Sequence, residues 1–240
     1  MAAVALPKGN ALAGEPTALS RSEVLARYRH LREISKQHNS RAMDFMPKGG
    51  FMPHARRLGL AQGKLLILDS MDELTLAFDL AIYTAPPGRS RPLDRYARSV
   101  RLAPESDEAR VLEAMCHARF AVAMVERRHP TAGLIVTDLL RKIELWLMDE
   151  GLEISMPEGS MIATRYYTPE SFAMTAGVVV PIYPVLLRDA LATVPQLFRK
   201  RHADAIEDRR LAEAIYHAAI ADGIMERVAY RDAGDASDAA

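Results

Sequence analysis

Apolar residues recur at helical spacing toward both ends of the chain and at strand spacing through its middle. Ser20 with Glu23 three positions later has the form of a capping box, and Leu25, Tyr28 or Leu31, and then Ile34 follow on one face. This pattern predicts a helix from about Arg21 to Asn39. His30, Ile34 and His38 share a face of it, but imidazoles two turns apart cannot chelate one metal, so both histidines are expected to face solvent or to cap backbone groups.

The stretch MDFMPKGGFMPH, residues 43–54, surrounds a Lys-Gly-Gly with Met43, Phe45, Met46, Phe51 and Met52. A P-loop needs its lysine after the glycines and a strand before them, and neither condition is met. The glycines are expected to end a short turn around Met43, Pro53 to open a helix that Gly59 ends, and the apolar side chains to anchor the connector in the core. Lys64 to Leu68 reads as a short strand. Ser70 with Glu73 matches a second capping box, opening a helix from about Met71 to Tyr83. Within it Asp79 lies between Phe78 and Leu80, so it either faces a polar cleft or is buried against a partner such as Arg56 or Arg57. A Pro/Gly-rich turn then leads into a short helix, and Val111, Leu112, Met115 and Ala118 mark an amphipathic helix from about Ser106 to His117.

From Phe120 the period shortens to two. RFAVAMVERR, GLIVTDLL, IELWLMD, LEIS, MIATRYY and SFAMTAGVVVPI are short apolar or alternating runs separated by turn signals. Asp149-Glu150-Gly151 and Pro157-Glu158-Gly159 suit turns with a left-handed glycine, so residues 118–182 are expected to form an antiparallel meander of five or six strands that curls into a small β-barrel. Gly133 to Asp138 is expected to lie centrally in it. After Pro184 the spacing is helical again, predicting helices over Val185 to Arg201 and Ala203 to Tyr230. The expected fold class is α+β: a flexible arm over 1–19, a mainly helical part over 20–117 with one short strand, the β region over 118–182, C-terminal helices over 183–230 and a solvated tail over 231–240.

Composition narrows the class. The 240 residues are 49% hydrophobic and 26% charged, the balance of a globular chain with a core. The longest uncharged run, Ser171 to Leu187, holds a glycine and two prolines and falls short of a membrane span, and the apolar run Ala2 to Leu6 is too short for a signal-peptide core. A cytoplasmic protein without an integral membrane segment is the expectation. The single cysteine, Cys116, excludes an internal disulfide framework and a cysteine zinc site. Its neighbour His117 points about 100° away on a helix, so the two form no catalytic dyad and Cys116 is expected in the core. No cofactor and no metal are expected.

Charge adds one candidate site. The net charge is zero, yet residues 1–102 carry 16 Lys/Arg against 9 Asp/Glu, +7, which leaves −7 for the rest. That asymmetry permits a basic surface, or mutual attraction of the halves. Five arginines, Arg89, Arg91, Arg95, Arg98 and Arg101, crowd one segment, and Arg91, Arg95 and Arg98 fall on one stripe beside Tyr96. This is the strongest candidate for binding an anion, whether nucleic acid, phosphorylated ligand or acidic partner; the alternative is pairing with the acidic C-terminal half. RKRH, residues 199–202, is explained by a helix C-terminus. Trp146 sits among acidic residues, and Arg165, Tyr166 and Tyr167 alone make a poor stacking platform for bases.

H-E-x-x-H, G-x-S-x-G, G-x-G-x-x-G, P-loop and C-x-x-C patterns are all absent. An enzyme with scattered groups would first implicate Asp79 or Cys116. The preferred expectation is a non-enzymatic intracellular binding or regulatory protein acting on a protein partner or on a second copy of itself. The alternative is nucleic-acid binding through Arg89 to Arg101.

Overall fold

A computed structural model describes residues 19–223; the arm expected over 1–19, apart from Leu19, the last turns of the final predicted helix and the tail lie outside them. Helix α1, Arg21–Met43, begins at the expected capping box: the Ser20 backbone N–H donates to Glu23 at 2.8 Å, and the Ser20 hydroxyl accepts from the Glu23 N–H. It runs one turn beyond Asn39 because nothing in Ser40-Arg41-Ala42 breaks it and Ala42 packs into the core. Val24, Tyr28, Leu31, Ile34, Ser35 and His38 form its buried face. His38 does not face solvent: it is buried, its Nδ1 2.9 Å from the Tyr96 hydroxyl and its Nε2 2.9 Å from the Glu108 carbonyl, a backbone group as the other expectation had it, while His30 stays exposed beside Asp107.

The outer face of α1 answers the charge asymmetry. Arg21 pairs with Glu153, Arg27 with both Asp107 and Glu170, and Arg29 with Glu150, at 2.5–2.7 Å. All four carboxylates lie beyond residue 102, so much of the excess charge of the halves serves to strap the first helix down. Such exposed pairs are worth roughly 0–1 kcal/mol each, and they orient α1 more than they hold it.

The connector leads through α2, Met52–Arg57, a hairpin of β1, Ala61–Gln62, and β2, Leu65–Leu66, and α3, Glu73–Tyr83. Phe45 and Phe51 reach the core as expected, but Met43 is exposed. The strand is shorter than 64–68, with Leu65 and Ile67 open to solvent at 69% and 51%. Helix α3 starts two residues late, and only half of the second capping box forms: Glu73 accepts from the Ser70 N–H at 3.5 Å, but the Ser70 hydroxyl accepts from the Asp72 N–H and not from that of Glu73. Helices α4, Pro92–Ser99, and α5, Asp107–Cys116, follow; the latter lies where expected, and the Ser106 hydroxyl caps it by accepting from the Ala109 N–H.

Five strands form one mixed sheet: β3, Arg119–Arg128; β4, Leu134–Asp138; β5, Ile143–Met148; β6, Met161–Tyr167; and β7, Ala173–Ile182. β4 lies between β3 and β5, and β6 between β3 and β7, all antiparallel. The expected antiparallel meander is corrected at one junction, where β5 pairs with β7 in parallel through Leu147↔Ala173 and Met148↔Met174. The cause is local. LEIS is not a strand but the end of α6, Glu150–Ser155, capped by the Asp149 carboxylate on the Leu152 N–H at 3.1 Å; Gly151 sits inside that helix. The helical turn carries the chain away from β5, so a simple hairpin is not made.

The two long C-terminal helices expected are corrected to four short pieces: α7, Pro184–Ala192, a 3-10 turn at Pro195–Arg199, α8, His202–Ile206, and α9, Arg209–Ala221. Pro195 has no N–H to continue α7, and Asp208 caps α9 by accepting from the Arg210 N–H at 3.0 Å. Apolar side chains gather in three places. Leu76, Val122, Val180 and Ile215 join the sheet to α2, α3, α7 and α9; Leu31, Leu93, Met115 and Met174 join it to α1, α4 and α5; Val125, Leu134, Leu147 and Ile162 fill the space among the strands. No helix among the described residues is long and apolar enough to cross a membrane.

Candidate functional site

A cleft of about 740 Å³ opens between the segment Tyr83 to Asp94 and the segment Lys200 to Ala212, with Phe120 of β3 and Arg165 of β6 at its base. The Pro86-Pro87-Gly88 turn forms one wall and the junction of α8 with α9 the other.

Under the cleft lies a buried ion pair. The Asp79 carboxylate accepts from Arg165 Nε and Nη2, each at 3.0 Å, with side-chain exposures of 2% and 7%. The Tyr216 hydroxyl donates to the same carboxylate at 3.1 Å. The guanidinium carbon of Arg165 stands 5.2 Å from the Tyr83 ring centroid and 5.8 Å from that of Phe120. Burial works against the guanidinium's charge, but the Asp79 carboxylate beside it prevails and holds its pKa above the ordinary value. Asp79 is therefore buried with a partner, and the partner is Arg165: Arg56 donates to the Gly63 carbonyl and Arg57 faces Glu213 at 3.3 Å.

The stripe Arg91, Arg95 and Arg98 does not converge on one point. Arg91, at the N-cap of α4, binds Asp94 through Nε and Nη2 and the Cys116 carbonyl through Nη2 at 2.7 Å. Arg95 turns inward to the Phe45 and Ser90 carbonyls. Arg98 is exposed, and Arg89 is exposed at the cleft wall. None of these contacts reaches a carboxylate of the C-terminal half, which pairs instead with arginines of α1, with Arg57 of α2 and with cations of its own.

The far wall was not singled out in the sequence. There Asp208 faces two cations, Lys200 at 2.6 Å and Arg210 at 2.8 Å, and the hydrogen bonds from Arg210 hold its carboxyl well below the usual range. The RKRH signal pointed at this wall, though Lys200 follows a 3-10 turn and Arg201 opens α8 beside Asp204 at 2.8 Å. Cys116 is half-buried against the core of α1, α4 and α5, and burial pushes its thiol up, away from the reactive thiolate. His117 Nδ1 lies 2.9 Å from the Glu113 carbonyl. Among the described residues no three His, Cys, Asp or Glu side chains cluster in a way that could hold a metal ion.

The chain belongs to a family of unknown function, DUF7986. The match runs over residues 22–228, and so takes in both walls of the cleft and the Asp79–Arg165 pair. No curated protein and no solved structure matches the chain.

Proposed function

We propose that the chain is a non-enzymatic binding protein of the cytoplasm whose recognition site is the cleft between the Tyr83–Asp94 segment and the α8–α9 junction. The observation that carries this reading is the Asp79–Arg165 pair, a buried and costly arrangement placed at the base of a cleft of about 740 Å³. The strands serve as a rigid support. Their pairing around a ring, with the short parallel contact of β5 and β7, favours regarding the sheet as a small barrel. The lone Cys116 favours a reducing compartment.

A protein partner or a second copy finds separate support in Leu65, Ile67 and Met71, apolar side chains exposed in and just after the β1–β2 hairpin. Nucleic-acid binding through Arg89 to Arg101 has less to recommend it, because Arg91 and Arg95 spend their donors within the protein.

Nuclear magnetic resonance with a library of small metabolites tests the cleft. Shift changes gathered at residues 83–94 and 200–212, without consumption of the ligand, are expected. Hits confined to the β1–β2 hairpin would transfer recognition to a protein partner, and conversion of a ligand to product would end the non-enzymatic reading.

A further inference from the structure

We infer that the cleft takes an organic oxyanion, a phosphate ester or carboxylate on a small apolar body, held by Arg165 from below and by Arg89 and the Lys200–Arg210 pair from the walls. This deepens the reading above and rests on the cleft being the binding site.

Four carboxylates line the cleft: Asp94 has Arg91, Asp204 has Arg201, and Glu207 shares Arg141, at 2.8 Å, with buried Asp138. The fourth, Asp208, is one charge facing two cations, Lys200 and Arg210, a local surplus that matches the deficit at Arg141, so the unbalanced charge of the lining is that of Arg89. Arg209 is occupied by Glu213. Arg89 makes no side-chain hydrogen bond or ion pair among the described residues. At the base, Asp79 takes Nε and Nη2 of Arg165 and leaves Nη1 without a partner among the described residues. Nη1 carries two N–H groups on a guanidinium fixed by a carboxylate behind it and rings beside it, which is the preorganisation an oxyanion site needs. Tyr83, Pro86, Pro87 and Phe120 supply apolar lining for the body of the ligand. A volume of about 740 Å³ suits a small molecule and not a strand of nucleic acid.

Titration calorimetry on the full chain tests this with phenyl phosphate, benzoate and the neutral benzyl alcohol. The two anions are expected to bind and the alcohol not to. Arg89→Glu and Lys200→Ala should each weaken anion binding by about tenfold or more, the loss of one charge-assisted contact. Arg98→Glu, on the same segment but outside the cleft, should leave it unchanged, and circular dichroism confirms that each variant folds. Preference for phenyl phosphate over benzoate assigns a phosphate ester, and the reverse a carboxylate. Benzyl alcohol binding as tightly as phenyl phosphate would overturn the oxyanion and leave the cleft as a binding site. Equal weakening by Arg98→Glu, or no binding of either anion, would overturn the oxyanion as well.

Discussion

The carboxylate of Asp79 on α3 and the guanidinium of Arg165 on β6 meet at 3.0 Å across 86 residues of sequence, and the Tyr216 hydroxyl from α9 closes on the same carboxylate. Three elements remote in the chain are thereby tied at one point. Removing one charge leaves the other buried and unpaired, so Asp79→Asn is expected to lower stability by roughly 3–5 kcal/mol. The double variant Asp79→Leu, Arg165→Met should recover most of that loss, and Tyr216→Phe should cost only about 1 kcal/mol. Urea denaturation midpoints of the four proteins check the ordering.

Gly133, at the entry to β4, has φ +79°, and a Cβ built on it would lie 2.5 Å from the Leu147 carbonyl oxygen on β5. Backbone cannot swing aside as a flexible side chain would. Gly133→Ala is expected to cost roughly 2–4 kcal/mol through strain and collision together. Gly159 has the same φ but open space around it, so Gly159→Ala should cost only about 1 kcal/mol. Thermal unfolding of the pair separates clash from backbone strain.

His54 on α2 has a buried Nδ1 without a partner among the described residues, and burial first, then the charges of Arg57 and Arg209, push its pKa down to about 4, with Asp79 opposing them. In the unfolded chain it titrates near the ordinary histidine value of 6.5. Between those two values the unfolded chain binds the extra proton, so the contribution is complete above about pH 6.5 and is lost as pH falls toward 4. His54→Leu is expected to flatten this part of the stability profile, measured as melting temperature from pH 7 to pH 4. The remaining slope belongs in part to His38, whose pKa burial also lowers.

Helix α1 was legible because its start is written in Ser20 and Glu23, three residues apart, and α5 because Val111, Leu112 and Met115 recur at helical spacing; both signals are local. LEIS misled because a four-residue apolar run fits a strand or a helical turn equally, and the deciding hydrogen bond comes from Asp149 just outside it. Asp79 announced itself as a buried charge. Its partner did not, because Arg165 looked like one member of a Tyr-rich strand face until β6 was packed against α3.

By itself the sequence determined that helices flank a central run of strands, where α1 and α5 begin and that the two halves carry opposite charge. These follow from periodicity, capping and composition, all of short range. Only tertiary structure decided that β5 runs beside β7, that the basic excess is spent by α1 on distant carboxylates, and that Arg89, Arg165 and Lys200 surround one space. Such relationships depend on which surfaces exclude water together, and residues 86 positions apart carry no local mark of the partner they will meet.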